Sequence, residues 1–153
     1  MKKRLAMLVL AGAMVTSSLT GCGLKDSATV ATVAGDEIPA GLANFYARMT
    51  QAQYESMYSS YLGDNMWTTE ASEGKTYEKL VKDEVLKDLE NMYLLEDHMD
   101  DYKISLSDDE KKAIKDAAKE FSKDNDKDDK EKVSGDTEYV ERYLTLVTIK
   151  QKM

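Results

Sequence analysis

The chain has 153 residues, of which 33% are charged and 42% hydrophobic, enough for one domain with a hydrophobic core. The formal net charge of −8 argues against a general nucleic-acid-binding protein, since such proteins neutralise phosphates with a basic surface. The single cysteine excludes an internal disulfide bond and a multi-cysteine zinc site.

The chain begins with the pattern of a bacterial export signal. Residues 2–4 are basic, and residues 5–15 form an apolar run that is interrupted only by a glycine. This run is shorter than the roughly 20 residues that a membrane-spanning helix needs. It is therefore typical of the apolar part of a secretory signal peptide.

The run leads into Leu19-Thr20-Gly21-Cys22, which resembles the lipobox of bacterial lipoproteins. The resemblance implies that residues 1–21 are a signal peptide and that cleavage falls between Gly21 and Cys22. It also implies that the thiol of Cys22 carries a diacylglycerol group, which would hold the protein on the extracytoplasmic face of the cell membrane. The alternative is a plain secretory signal with an incidental cysteine.

The predicted mature chain is more acidic than the full chain. Removal of residues 1–21 takes away three basic residues and no acidic ones, so the net charge falls from −8 to −11. Anionic lipid headgroups repel such a protein, and the acyl group must then supply the membrane attachment. Residues 22–27 are expected to be a tether, and residues 28–153 a single helical domain.

The domain is predicted to be mainly α-helical, with a short β-strand or hairpin at its N-terminal end. Residues 28–33 are rich in β-branched side chains and predict a strand, and a Gly-containing turn then leads into a short returning strand at Glu37-Ile38. Apolar residues at helical spacing, together with a capping box at Ser107, predict about four helices. These cover residues 40–62, residues 76–102, a stretch after Ser107, and residues 137–153.

Residues 122–136 are strongly charged and low in complexity, which predicts a linker or a frayed helix end before the last helix. Acidic residues at 124, 126 and 128 occupy positions 1, 3 and 5 of a calcium-binding loop. However, Asp129 stands where the loop requires glycine, and Gly135 stands where it requires glutamate. We therefore expect no metal site in this segment.

No catalytic motif is visible in the sequence. His98 is the single histidine, and it lies in an acidic stretch near a predicted helix end, where the helix dipole favours a solvated histidine. No phosphate-binding loop and no G-x-S-x-G nucleophile motif occur. We expect no cofactor, and we expect that the chain as given is not an enzyme.

The balance of apolar residue types is unusual. Nine tyrosines and, after residue 21, six methionines stand against two phenylalanines. Such side chains suit surfaces that bind varied apolar segments, although they would equally fill gaps between helices. The best candidates for a client-binding surface are five residues in and after the first helix: Tyr54, Tyr58, Tyr61, Met66 and Trp67.

Three segments resemble the N-terminal chaperone domain of PrsA/SurA-type extracytoplasmic foldases. The first, "ATVAGDEIPAGLANFYARM", has the family's order of strand, Gly-containing turn, isoleucine and early helical aromatic, carried by Val33, Gly35, Ile38 and Phe45. The second, "YLLEDHMDDYKISLSDDEKKAI", has a Tyr-x-Ile connector before a capped helix, carried by Tyr102, Ile104, Ser107 and Glu110. The third, "YVERYLTLVTIKQKM", resembles the closing helix before the parvulin domain.

The resemblance implies a lipid-anchored protein that binds unfolded exported polypeptides. In the family a separate parvulin domain performs prolyl isomerisation, and we expect no such domain within these 153 residues. Two alternatives remain open at this point. The chain could be the front of a longer prolyl isomerase, or an adaptor lipoprotein with one fixed partner.

Overall fold

A computed structural model describes residues 25–63, 65–72 and 74–153 of the chain. The predicted signal peptide, the lipobox and residues 22–24 of the predicted tether lie outside the described residues. The predicted cleavage and lipidation at Cys22 therefore stay predictions.

The fold begins with the predicted hairpin. Strand β1, Thr29–Val33, pairs antiparallel with strand β2, Asp36–Pro39. The two turn residues Ala34 and Gly35 both have positive φ, at 54° and 100°. This is the backbone conformation that matches a two-residue turn to the right-handed twist of a hairpin.

The rest of the described chain is mainly α-helical, as predicted. Its five α-helices are α1, Ala40–Leu62, α2, Tyr77–Asp97, α3, Asp108–Asp124, α4, Lys127–Val133, and α5, Thr137–Lys152. Short 3-10 helices cover Met66–Thr68 and Asp100–Tyr102, and a second small hairpin pairs β3, Glu70–Ser72, with β4, Lys75–Thr76.

The helix ends follow local capping chemistry. Ser107 Oγ accepts a hydrogen bond from the Glu110 backbone N–H at 3.1 Å, and the Ser107 N–H donates to Glu110 Oε2 at 2.7 Å. The predicted capping box is therefore confirmed. Helix α2 begins after the Thr76 cap and ends at Asp97, earlier than predicted, because the backbone then tightens into the 3-10 helix that ends at Tyr102.

Residues 122–136 differ from the expected linker, because most of them are helical. Helix α3 continues to Asp124, and Asp126 then caps α4 by accepting a hydrogen bond from the Asp129 N–H at 2.9 Å. Lys130 Nζ donates to both the backbone oxygen and the hydroxyl of Ser122, each at 3.1 Å. These contacts fold α4 back onto the end of α3.

The core has two parts. The larger part joins β2, α1, α2 and α5, and its buried residues are Ile38, Leu42, Val81, Val85, Leu89, Met92, Tyr93 and Leu146. The smaller part joins α1, α3 and α5 through Phe45, Ala118 and Val140, with the ring of Phe121 edge-on to Phe45 at 5.5 Å between centroids. Within the described residues, no helix is both long and apolar enough to cross a bilayer.

Candidate functional site

The two halves of α1 have different surroundings. The first half supplies Leu42 and Phe45 to the core, whereas every described side chain from residue 55 to residue 61 is exposed. Three of the large apolar side chains in this second half are exposed. Met57 is 54% exposed, Tyr58 39% and Tyr61 86%.

The first half of α1 is held firmly by the neighbouring helices. The Tyr46 hydroxyl donates to Asp88 Oδ2 on α2 at 2.7 Å, and Lys150 Nζ on α5 donates to Asp88 Oδ1 at 2.6 Å. Burial, and then the hydrogen bond to Asp88, raise the pKa of Tyr46 well above its usual value, so that its hydroxyl stays a donor. The exposed half of α1 is thus an extension of an anchored helix.

Two half-buried aromatic residues lie beside the exposed ones. The ring of Tyr54 packs against those of Tyr58 and Trp67, with centroids 5.6 and 6.3 Å apart. The Tyr54 hydroxyl donates to Glu84 Oε2 at 3.4 Å, and Trp67 Nε1 donates to Glu55 Oε1 at 2.8 Å. Burial, followed by the charge of Glu84, raises the pKa of Tyr54. These bonds fix the orientation of both rings and leave part of each accessible.

We call the surface formed by Tyr54, Met57, Tyr58, Tyr61 and Trp67 the aromatic ledge. It contains four of the five predicted client-binding residues.

The structure excludes the fifth predicted residue from the ledge and adds one that the sequence analysis missed. Met66 is only 2% exposed and belongs to the core, because the 3-10 helix Met66–Thr68 packs against α2 and turns this side chain inward. Met57 lies on the ledge instead. Its spacing of four residues from Tyr61 places the two side chains on one helix face, and that signal was available in the sequence.

A separate feature is an open cleft of about 930 Å³ between the first hairpin, α2 and α5. Arg142 closes one side by binding both carboxylate oxygens of Glu96, each at 2.6 Å, with its guanidinium carbon 4.6 Å from the centre of the Tyr93 ring. This bidentate contact ties α5 to α2. Arg142 and Glu96 therefore have an evident structural role.

His98 lies at the C-terminal end of α2, where its Nδ1 is 2.9 Å from Asp101 Oδ2. Asp101 is exposed and His98 is half-buried, and no nucleophile hydrogen-bonds to this histidine in the described chain. Among the described residues, no group of three histidine, cysteine or acidic side chains is arranged to hold a metal ion.

Comparison with known proteins identifies the family to which the chain belongs. No curated protein and no solved structure matches it. A family model, described as the SurA-like N-terminal domain, matches residues 3–134, which is most of the chain and ends just before α5. The chain therefore belongs to the SurA-like N-terminal domain family, a family of the chaperone type.

Proposed function

We propose that this protein is a lipid-anchored, extracytoplasmic chaperone-like protein that binds unfolded exported polypeptides without catalysis. The observation that carries the proposal is the exposure of the aromatic ledge in a chain of a chaperone-type family. Tyr58 and Tyr61 offer large apolar rings with a polar tip, and Met57 offers a side chain that adapts its shape. This combination suits varied apolar segments better than one fixed shape.

Binding of this kind is expected to be weak and reversible. The ledge lies on an exposed part of a helix, so it buries less of a client than an enclosed groove would. The sequence contains no phosphate-binding loop, so client release is not expected to depend on a nucleotide. Retention at the membrane by the proposed acyl chains would keep the local concentration high where exported chains emerge.

A light-scattering assay of client aggregation tests the binding function. A several-fold excess of the protein should delay aggregation of a chemically unfolded client, and Tyr61→Ala should weaken that protection. The matched control is Tyr102→Ala. It removes a tyrosine that is 69% exposed and lies outside the ledge, in the 3-10 helix that follows the C-terminal end of α2. No protection by the unmodified chain would refute the proposal, and equal loss in both variants would refute the role of the ledge.

The adaptor alternative predicts a different outcome. Affinity purification from a producing cell should return a heterogeneous set of exported polypeptides if the ledge is promiscuous. A single stoichiometric partner, recovered equally well by Tyr61→Ala, would favour an adaptor over a chaperone.

Membrane anchoring is tested separately at Cys22. The unmodified chain should take up labelled palmitate and partition with membranes, and Cys22→Ser should do neither. Ser27→Ala, a change of similar size beyond the expected cleavage point, should label normally. Undiminished labelling and membrane retention of Cys22→Ser would show that Cys22 is not the lipidation site.

A further inference from the structure

Two carboxylates border the aromatic ledge without a basic partner. Glu55 Oε1 accepts hydrogen bonds from Trp67 Nε1 and Gln51 Nε2, both at 2.8 Å, and Glu84 Oε2 accepts from the Tyr54 hydroxyl at 3.4 Å. Both glutamates are exposed. Across the part of the chain that the structure describes, neither forms an ion pair with a lysine or an arginine.

The three lysines that precede Glu84 are bound to other acids, and Lys87, three residues after it, forms no ion pair with Glu84 in the described chain. Lys75 and Lys79 both pair with Asp83, and Lys82 pairs with Glu78 on its own helix. Glu55 and Glu84 therefore carry charges that no ion pair neutralises, in a chain whose overall net charge is already −8.

Each of the two carboxylates accepts a hydrogen bond from a different member of one aromatic pair. Glu84 contacts Tyr54 and Glu55 contacts Trp67, and the two rings are 6.3 Å apart between centroids. A cation bound beside this pair could contact a ring face and a carboxylate at the same time, and both groups attract a positive charge. A carboxylate on a client would instead meet two charges of its own sign.

We propose that the aromatic ledge selects client segments in which an aromatic or aliphatic side chain stands next to a lysine or an arginine. The apolar side chain packs on the rings, and the cation pairs with Glu55 or Glu84. This selectivity rests on the proposed function of the ledge, because it assigns a client class to the same surface.

Trp67 provides the readout, since it is the only tryptophan in the chain and lies on the ledge. Three tryptophan-free peptides with identical apolar residues, flanked by lysine, glutamine or glutamate, are titrated into the purified full chain, and Trp67 fluorescence is followed. The lysine peptide should bind most tightly and the glutamate peptide least tightly. The advantage of the lysine peptide should shrink as ionic strength rises, because exposed ion pairs are screened by salt.

Matched variants locate the selectivity. Glu55→Gln and Glu84→Gln should each weaken the lysine peptide about two- to fivefold, the range expected for one exposed ion pair, and leave the glutamine peptide unchanged. Glu84→Gln is the cleaner test because the indole N–H of Trp67 donates to Glu55 and not to Glu84. The control, Glu120→Gln, removes the same charge from an exposed position on α3 and should have no effect.

The outcomes separate this inference from the proposed function. Equal affinity for the three peptides would overturn the charge selectivity while leaving a functional ledge. An equal effect of Glu120→Gln would assign the preference to net charge and overturn the role of Glu55 and Glu84. Failure of all three peptides to bind would overturn the proposed function and the selectivity together.

Discussion

Ser134 connects three distant parts of the fold through one hydroxyl. It is 3% exposed, it accepts a hydrogen bond from Asn44 Nδ2 on α1 at 2.9 Å, and it donates to Asp26 Oδ1 at 2.9 Å. It also ends α4 in the left-handed conformation, with φ at 52° and ψ at 42°. We therefore compare two variants that both lose the two hydrogen bonds. Ser134→Ala keeps a side chain in the unfavourable left-handed conformation, whereas Ser134→Gly adopts that conformation without strain.

The magnitudes follow from these contacts. A neutral hydrogen bond contributes about 0.5–1.5 kcal/mol, and a bond to a charged group about 1.5–3 kcal/mol. Since Asp26 is only half-buried, we take the lower part of this range and expect Ser134→Ala to lower the free energy of unfolding by about 2–3 kcal/mol. The left-handed conformation costs a non-glycine residue about 1 kcal/mol, so Ser134→Gly should be more stable than Ser134→Ala by that amount.

Urea unfolding followed by circular dichroism measures both variants against the unmodified chain. Ser60→Ala, at an exposed position on α1, is the control and should change the free energy of unfolding by less than about 0.5 kcal/mol. If Ser134→Gly is no more stable than Ser134→Ala, the left-handed cap carries no cost. If both equal the unmodified chain, the hydroxyl does not join these segments in solution.

Three further changes test other parts of the fold. Leu89 is fully buried, so Leu89→Ala should lower the free energy of unfolding by about 2–5 kcal/mol in urea titrations. Arg142→Lys should cost about 1 kcal/mol by the same assay, because a lysine cannot make the bidentate contact with Glu96. The hydrogen bond from Lys79 lowers the pKa of Asp83, so this carboxylate stabilises the fold at neutral pH and loses that effect as pH falls through the acid range. Asp83→Asn should therefore be less stable than the unmodified chain at neutral pH, by less than about 1 kcal/mol because the pair is partly exposed. This difference should disappear once the pH falls below the lowered pKa of Asp83.

Each of these three predictions would be contradicted by a specific result. A cost below about 1 kcal/mol for Leu89→Ala would mean that the core relaxes around the missing side chain. An Arg142→Lys variant as stable as the unmodified chain would show that the contact with Glu96 adds nothing beyond a single charge pair. A stability difference for Asp83→Asn that persists unchanged in acid would exclude ionisation of Asp83 as its cause.

Local signals in the sequence were sufficient to predict where the main helices lie. The bounds of α1 agree with the predicted segment 40–62 at both ends, since Pro39 precedes the helix and Gly63 follows it with a φ of 66°. The capping box at Ser107 and the turn at Gly35 are likewise read from neighbouring residues, and both lie where they were expected. The mainly helical class follows from these elements.

Contacts between distant residues account for the differences. Residues 122–136 have the composition of a linker, but the bond from Lys130 to Ser122 and the burial of Ser134 between Asp26 and Asn44 order them as helix. Composition indicates only how readily a segment is solvated, whereas the burial of Ser134 depends on partners at sequence separations of 90 and 108.

The sequence by itself determined the order of the hairpin and main helices, because caps, turns and hydrophobic spacing act between residues a few positions apart. It also identified the tyrosine-rich end of α1 as the region to inspect. Only the tertiary structure decided which of those side chains are accessible: Met66 faces α2 in the core, and Tyr61 faces solvent at 86% exposure. Both are apolar residues near one helix end, and the physical difference between them is whether another helix lies within reach of the side chain.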